Sequence, residues 1–324
     1  MIDQSLATRS SQRLHRLRDD PRHLVPERDP GFADLDPETL CLDPVSVEAK
    51  ITSRTRGSWP CISSAAWPIS TLKAIGDRHG IPVIEDCAQA QLAEIDGRLA
   101  GTIGQIGCFS FNNTKHLNCG EGGMVITNDD ALARRAPARA DKAWPRDEDE
   151  RYSLFLGQNY RLNELEAAVA LVGLRRLDDN VAARRKAVES VYERIAGVPG
   201  IEVRIIAECA VELLDLHLFV DDGIDPGAVS SARGRRASLL GKVCHSALHL
   251  ACAARCEHLR SLSVPIRFSL LRPGVRLRAR ALLIFEKRRE QLILLSVDEQ
   301  WTDDDADDVA AAIRKVLPRF ATGV

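Results

Sequence analysis

Short apolar runs alternate with helical patterns through the middle of the chain. Residues 70–80 read STLKAIGDRHG, a helix-like segment that ends at Gly80, and the run IPVIED that follows is apolar until its two acids. A helix followed by a continuous apolar strand is typical of a parallel α/β sheet with both faces covered. Two further strands are predicted at 107–111 and 124–129, and DDALARRA then begins another helix.

A long amphipathic helical region is predicted from Asn163. Asn163 and Glu166 have the spacing of an N-cap and its N3 partner, and Gly197-Val198-Pro199-Gly200 stops the pattern. Between these signals, apolar residues recur at helical intervals: Leu165, Ala168, Val169, Val172 and Leu177. The pattern favours a helical bridge between two domains.

Three regions of the chain differ in their pattern of apolar and polar residues. Residues 1–30 have no apolar periodicity and predict a loose extension, residues 31–200 carry the α/β pattern, and residues 201–324 form a smaller C-terminal α/β domain. In the last region ELLDLHLFVDD predicts a strand. Thr302, followed by three aspartates, predicts the N-cap of a final helix with a basic last turn.

Composition narrows the possible partners. The 324 residues are 45% apolar, and 44 basic against 46 acidic residues leave a formal charge of −2, so no global field attracts nucleic acid or an anionic membrane. The basic stretch 254–290 has no aromatic platform and predicts a solvated face. Nine cysteines without a CxxC pair, no secretory signal and no spanning apolar run predict a cytoplasmic protein with reduced thiols.

Two charged residues are candidates for chemistry because of where the predicted strands end. Asp86 closes the run IPVIED, and Lys115 lies in a polar loop between the strand at 107–111 and a glycine turn. Ligands of α/β sheets bind at the carboxyl ends of the strands. Asp86 is either a helix N-cap or ion-pair partner, or a carboxylate that faces a cationic ligand. Lys115 is either a solvated surface charge or a nucleophile.

The combination of this carboxylate with this lysine fits a site for pyridoxal phosphate. A carboxylate beside a protonated pyridine nitrogen keeps the ring charged and electron-withdrawing, and a desolvated lysine is more often the neutral amine that adds to an aldehyde. Asp86 and Lys115 supply these two groups. Ser110 is placed to donate to a phosphate oxygen, and the glycines of 120–123 allow a close approach of the backbone to a ligand.

Three blocks of sequence resemble the DegT/DnrJ/EryC1/StrS family of sugar aminotransferases. They are GIPVIEDCAQA at 80–90, FSFNNTKHLNCGEGGMVITND at 109–129 and GQNYRLNELEAAVALVGLRRLD at 157–178, and the similarity extends over about residues 31–200. The resemblance implies the α/β fold of the fold-type I pyridoxal-phosphate-dependent transferases, a mixed sheet flanked by helices with a smaller C-terminal domain. Residues 31–200 would then be the cofactor-binding domain.

The resemblance also implies roles for five residues. Lys115 is similar to the lysine that bonds to the cofactor aldehyde and then moves a proton between substrate and cofactor. Asp86 is similar to the partner of the pyridinium nitrogen, Gln89 to the residue near the ring hydroxyl and Ser110 to a phosphate contact. Asn159 resembles the residue that reaches the phosphate of the neighbouring subunit, so a homodimer is expected.

The implied function is pyridoxal-phosphate-dependent transfer of an amino group from an amino acid to a keto-sugar, such as a nucleotide-sugar, or to a cyclitol ketone. Such a reaction belongs to amino-sugar, polysaccharide or secondary-metabolite biosynthesis. Family members carry a phosphate-binding Ser-Gly-Thr turn and a ring-stacking aromatic residue upstream of the region that corresponds to FADLDPETL, and residues 1–30 contain no counterpart. We therefore expect an N-terminally truncated domain and impaired cofactor affinity. The alternative is a non-catalytic relative that dimerises without cofactor.

One further cluster is suggestive of a metal site. His245, His249, Cys252 and Cys256 fall on one face of a helix if the segment 244–259 is helical. Four ligands on a single helix cannot easily surround a tetrahedral ion, so buried thiols and capped imidazoles are the simpler interpretation. We therefore expect no metal.

Overall fold

The computed structural model describes most of the chain between residues 32 and 319. The described residues are 32–58, 60, 68–95, 97–144, 153, 155, 157–204, 215–224, 229, 244–246, 284, 287, 288 and 291–319. The predictions made for residues 1–30 and for most of the basic stretch 254–290 lie outside these ranges.

The helices and strands follow one another in an order that gives two larger sheets and a separate two-stranded antiparallel pair, Glu94–Ile95 with Arg98–Leu99. They are α1 (Pro44–Lys50), α2 (Ile69–His79), β1 (Ile84–Asp86), β2 (Glu94–Ile95), β3 (Arg98–Leu99), β4 (Ile106–Ser110), β5 (Gly123–Ile126), α3 (Asp130–Ala140), α4 (Glu164–Leu174), α5 (Leu177–Ile195), β6 (Ile201–Val203), β7 (Asp215–Val220), β8 (Cys244–Ser246), β9 (Leu292–Ser296) and α6 (Asp303–Val316), with a final 3₁₀ turn at Leu317–Arg319.

The first sheet is mixed and has the order β1-β4-β5. Strands β1 and β4 are parallel, with Asp86 opposite Cys108, whereas β4 and β5 are antiparallel, with Ser110 opposite Gly123. Among the named strands, the parallel arrangement that the strand pattern predicts is correct for β1 and β4, and an isolated parallel bridge also joins Ser58 to Val83. Because β1 and β4 are parallel neighbours, their carboxyl ends meet at one edge of the sheet.

Helix α2 confirms the helix predicted over 70–80, and its Ile69 shares a core cluster with Val83, the residue before β1. It buries Ile69, Leu72 and Ile75, and it ends at Gly80, whose φ of 63° allows its N–H to donate back to the carbonyls of Asp77 and Gly76. A glycine at this position avoids the steric cost of a left-handed residue.

The helical region predicted from Asn163 is present as two helices, α4 and α5. Asn163 Oδ1 accepts the N–H of Glu166 at 2.9 Å, which confirms the predicted N-cap. The break falls at Arg175 and Arg176, between the two helices. The apolar residues that define the predicted stripe do not all enter the core: Leu165 is 82% exposed.

The second sheet is antiparallel and has the order β6-β7-β9-β8. Its main core joins α5 and α6 to the sheet and includes these buried residues: Val188, Val191, Ile195, Leu216, Leu218, Leu295, Val309 and Ile313. Thr302 caps α6, as predicted, through a reciprocal pair of hydrogen bonds with Asp305. The predicted domain boundary near residue 200 stays a prediction, since the second half of α5 packs on the C-terminal sheet.

The helix expected over 244–259 is wrong at its start. Residues Cys244–Ser246 form β8 and pair with β9, with His245 opposite Leu294. Edge pairing to a formed strand satisfies the backbone there, and such tertiary pairing overrides a local helical pattern. His249, Cys252 and Cys256 lie outside the described residues.

The segment before α1 contacts the C-terminal sheet and Arg288. Arg288 lies over the ring of Phe219 at 4.3 Å and donates to the carbonyl of Pro37 at 2.7 Å. Leu40 packs against the small apolar cluster of Phe219, Leu292 and Leu294. Among the described helices, none has the length and apolar character that crossing a membrane requires.

Candidate active site

Strand β1 ends in two acids with different surroundings. Asp86 is 8% exposed, and its Oδ1 accepts the N–H of Ala88 at 3.2 Å. Turns follow Asp86 directly, so the interpretation of Asp86 as a helix N-cap is wrong. Its carboxylate lies at the sheet edge where ligands of such folds bind.

Glu85 has a structural environment instead. Its fully buried carboxylate accepts the N–H groups of Gly101 and Ile103, both at 2.7 Å, and that of Gly104. Three backbone donors stabilise a buried negative charge because they replace its lost hydration. The sequence signal for this arrangement is the glycine-rich loop GTIGQIG at 101–107, in which a Cβ on Gly104 would lie 2.7 Å from the carbonyl oxygen of Val83.

Lys115 is buried, so it is not the solvated surface charge that the sequence left open. Only 9% of it is exposed, and its backbone N–H donates to the Asn112 carbonyl at 3.0 Å in the turn that follows β4. Ser110, at the end of β4, is also buried, and its Oγ accepts the N–H of Asn112 at 3.3 Å. The hydroxyl hydrogen of Ser110 is not used in that bond and so can serve a ligand oxygen.

Helix α4 packs closely against the loop of residues 110–117, called here the Lys115 loop. Leu117 is buried in one core cluster with Ala170 of α4, and a Cβ on Gly173 would lie 2.7 Å from Leu117 Cδ1. The glycine turn that follows the loop is held similarly, since a Cβ on Gly122 would lie 2.8 Å from Leu162 Cδ1. Glycines at these two positions let α4 and the residues before it approach the loop.

A glutamine that the sequence reasoning missed joins the two candidate segments. Gln91 is 3% exposed, its Nε2 donates to the Ser110 carbonyl at 2.8 Å, and its Oε1 accepts the N–H of Leu117 at 2.6 Å. Gln89, which the resemblance places near the ring hydroxyl, is half-buried in the same turn. The family motif GIPVIEDCAQA ends at Ala90, so it does not include Gln91.

The electrostatic environment between the two strands is negative. Burial raises the pKa of the Cys108 thiol to about 11, and the nearby carboxylates of Asp86 and Glu85 add to this effect. Cys108 lies directly opposite Asp86 in the parallel pair. A cationic group at this edge of the sheet would therefore be stabilised.

Asn159 lies on the exposed segment that precedes α4. It forms an isolated β-bridge with Asp141 at the end of α3, and its Oδ1 accepts from Arg161 Nε at 3.1 Å. Its side chain is exposed. The structure thus brings Asp86, Gln89, Ser110 and Lys115 to adjoining segments of one sheet edge, and Asn159 does not belong to this group.

Comparison with known proteins identifies the family of the chain. Residues 26–221 match the model of the DegT/DnrJ/EryC1/StrS aminotransferase family, which is more than half of the chain. The chain belongs to this family. The predicted resemblance is therefore confirmed.

Two relatives act on cyclitol ketones by name. The chain is 43% identical over 177 residues to the L-glutamine:2-deoxy-scyllo-inosose aminotransferase of Streptoalloteichus tenebrarius. This match covers 52% of this chain and 42% of the relative. The chain is 38% identical over 209 residues to the L-glutamine:scyllo-inosose aminotransferase of Streptomyces griseus, covering 59% of this chain and 49% of the relative. The chain thus spans less than half of each of these relatives.

The fold class is confirmed by a solved structure. The aminotransferase from Psychrobacter cryohalolentis superimposes with a TM-score of 0.73 at 26% identity, and the match covers 90% of this chain and 76% of that one. The mixed α/β architecture of the family is therefore present. Within the described ranges, no group of three or more histidine, cysteine, aspartate or glutamate side chains is arranged to hold a metal ion.

Proposed function

We propose that this family member is a pyridoxal-phosphate-dependent aminotransferase. The observation that carries the proposal is the burial of Lys115 on the loop after β4, at the same sheet edge as the buried carboxylate of Asp86 on the parallel neighbour β1. Burying a lysine costs free energy, and such a position is typical of a lysine used for its amine. The two groups fit two requirements of the cofactor: an amine that reacts with its aldehyde, and an anion beside its ring nitrogen.

Besides Lys115, four residues of this chain would hold the cofactor. Asp86 would lie beside the ring nitrogen, Gln89 near the ring hydroxyl and Ser110 at the phosphate, with Asn159 reaching the phosphate of a second copy. When bound, pyridoxal phosphate supplies an aldehyde that accepts the amino group and a ring that withdraws electrons from the reacting carbon. The residue assignments follow the family motifs and agree with the burial of Asp86 and Ser110.

Lys115 would both bind the cofactor and move the proton. As the lysine that the family motifs assign to the cofactor, Lys115 would take up a proton at Nζ in one half-reaction and return it in the other. Asp86 would remain ionised throughout and would keep the ring nitrogen protonated. Asp86 is the last residue of β1, which pairs with β4, and Lys115 lies on the loop that follows β4.

The substrates that we propose are L-glutamine as the amino donor and a cyclitol ketone of the inosose type as the acceptor, with a keto-sugar as the wider class. This choice is supported by the names of the two cyclitol-ketone aminotransferases, each at least 38% identical to this chain. In both, the matched part includes less than half of the relative. The acceptor therefore requires a direct assay.

A homodimer is part of the proposal. Helix α4 exposes an apolar surface formed by Leu165, Val169 and Val172, and Met124 and Val125 of β5 are also half exposed. Exposed apolar clusters of this kind mark interaction surfaces in soluble proteins. Asn159 precedes α4 on an exposed segment, which agrees with its proposed reach to a second copy.

Covalent labelling tests the function directly. The full chain is incubated with pyridoxal phosphate, reduced with borohydride and mapped by peptide mass spectrometry, and amino transfer from L-glutamine to scyllo-inosose is then assayed. We expect label on Lys115 and none at that peptide in Lys115→Ala. Lys50→Ala, which removes an exposed lysine at the end of α1, is the matched control and should label normally. A wild-type chain without label on Lys115 would favour the non-catalytic alternative.

A further inference from the structure

One buried side chain closes the loop that carries Lys115 at both of its ends. Gln91 Nε2 donates to the carbonyl of Ser110, the last residue of β4, at 2.8 Å. Gln91 Oε1 accepts the N–H of Leu117, two residues beyond Lys115, at 2.6 Å. The loop from 110 to 117 is therefore tied at its start and at its end to a single amide group.

The same side chain connects this loop to the segment of Asp86. Gln91 lies in the turns that follow β1, five residues after Asp86, and these turns are themselves held by the N–H of Cys87, which donates to the Cys108 carbonyl at 2.8 Å. The position of Lys115 relative to Asp86 thus depends on strand pairing and on Gln91.

We propose that Gln91 is a positioning residue that holds the Lys115 amine in place relative to Asp86. The proposal rests on the proposed function, since it assigns Gln91 a role in the use of Lys115. A primary amide is the side chain that supplies one donor and one acceptor from the same planar group, which matches a carbonyl at one end of the loop and an N–H at the other. Small displacements of a reacting group lower the rate strongly, so a loop of this kind needs such a restraint.

The chain offers a matched control for general destabilisation. Gln105 Oε1 accepts the N–H of Val83 at 2.8 Å, and this bond lies at the opposite end of the β1–β4 pair from Asp86 and Ser110. Replacing either glutamine by methionine keeps the length of the side chain and leaves a backbone N–H without its acceptor. The Gln91 change also leaves the Ser110 carbonyl without its donor. The two variants differ in which end of the sheet they disturb.

The test compares Gln91→Met, Gln91→Glu and Gln105→Met in the full chain. Unfolding by urea gives the stability of each variant. Two measurements follow Lys115: its labelling by pyridoxal phosphate and borohydride at increasing cofactor concentration, and its acetylation without cofactor relative to that of the exposed Lys50. We expect Gln91→Met to raise the cofactor concentration for half-labelling roughly tenfold, and Gln105→Met to change it by less than about twofold.

Gln91→Glu supplies an independent pH readout. The introduced carboxylate keeps an acceptor for the Leu117 N–H but repels the Ser110 carbonyl, whereas its protonated form donates to that carbonyl and restores the bridge. Burial raises the pKa of such a carboxyl. Labelling of Lys115 in this variant, relative to wild type, should therefore recover as the pH falls.

Three results would overturn the proposal. One is equal loss of Lys115 labelling in the two methionine variants, and another is unchanged Lys115 acetylation in both Gln91 variants. Failure of both Gln91 variants to fold would assign Gln91 to the fold alone. A wild-type chain that takes no label would instead refute the proposed function, and acetylation of Lys115 without cofactor would still report on Gln91.

Discussion

Glu85 and Asp86 are consecutive residues of β1 whose carboxylates serve different purposes. The Glu85 carboxylate is enclosed by the backbone N–H groups of Gly101, Ile103 and Gly104, and Asp86 lies at the edge of the sheet beside the Lys115 loop. Consecutive residues of a strand point to opposite faces, which separates the two acids although they adjoin in the chain. One acid therefore stabilises the fold, and the other is the one that we propose for the chemistry.

Replacing Glu85 by glutamine should destabilise the protein. The amide is a weaker acceptor than the carboxylate, and its NH₂ group would face backbone N–H donors, so we expect a loss of about 2 kcal/mol in the free energy of unfolding. Urea denaturation measures this loss. Glu94→Gln, at an exposed position of β2, is the control and should change stability little. A stable Glu85→Gln variant would contradict the role of the charge.

Gly104 should tolerate no side chain, because its Cβ would lie 2.7 Å from the Val83 carbonyl oxygen and 3.3 Å from Glu85 Cγ. We expect Gly104→Ala to destabilise by about 1–3 kcal/mol, since the backbone must shift to relieve the overlap. Gly57→Ala is the matched substitution, because the nearest atom to its Cβ is the Pro82 carbonyl oxygen at 3.8 Å. Equal melting temperatures for the two variants would show that the loop is not packed as described.

The Cys108 thiol should report the charge of Asp86. Its pKa of about 11 results from burial first and from the two carboxylates second, so alkylation should be slow at neutral pH and accelerate only well above pH 9. Asp86→Asn should lower this pKa partly, since the burial remains. The rate of iodoacetamide modification of Cys108 as a function of pH measures it, and an unchanged profile would show that the Asp86 charge does not act on Cys108.

The same thiol makes stability depend on pH in the alkaline range. The pKa of the thiol is raised in the folded state to about 11 from its ordinary value of 9.0, so the folded state retains a proton that the unfolded state loses. The contribution of Cys108 to stability is full below pH 9 and is lost as the pH rises through 11. Cys108→Ala should flatten the decline of the free energy of unfolding over this interval, and an identical slope in wild type and variant would contradict the assignment.

A charge on the apolar surface of α4 should prevent self-association. Leu165 is 82% exposed, and Leu165→Glu with Val169→Glu would place two carboxylates on the surface that we propose for the homodimer. Sedimentation velocity should show a dimer for wild type and a monomer for this double variant. Val45→Glu is the control, because Val45 is 76% exposed on α1, away from α4, and should leave the dimer intact.

Local signals in the chain predicted much of the framework. Gly80 at the end of STLKAIGDRHG, Asn163 before Glu166 and Thr302 before its aspartates marked helix ends where the structure has them. Such ends depend on hydrogen bonds between residues a few positions apart, so the sequence contains the whole interaction. Family motifs likewise selected Asp86, Gln89, Ser110 and Lys115, which lie on adjoining segments of one sheet edge.

Longer-range contacts were not readable from the same patterns. Two acids at the end of one strand look alike in sequence, and the loop at 101–104 that separates their roles is 16–19 residues away from Glu85. Gln91 has no local signal, because its partners Ser110 and Leu117 are 19 and 26 residues distant. The strand at Cys244–Ser246 was missed for a similar reason, since it exists through pairing with β9.

The sequence alone thus predicted where several helices begin and end, which predicted strands are followed by candidate reactive side chains, and to which family the chain belongs. Three-dimensional packing established which buried groups meet, Glu85 with three backbone amides and Gln91 with both ends of the Lys115 loop. It also left Leu165, Val169 and Val172 of α4 exposed. The physical reason is range. Capping and periodicity act within a few residues, whereas the burial of a charge or an amide depends on partners that only the folded chain brings together.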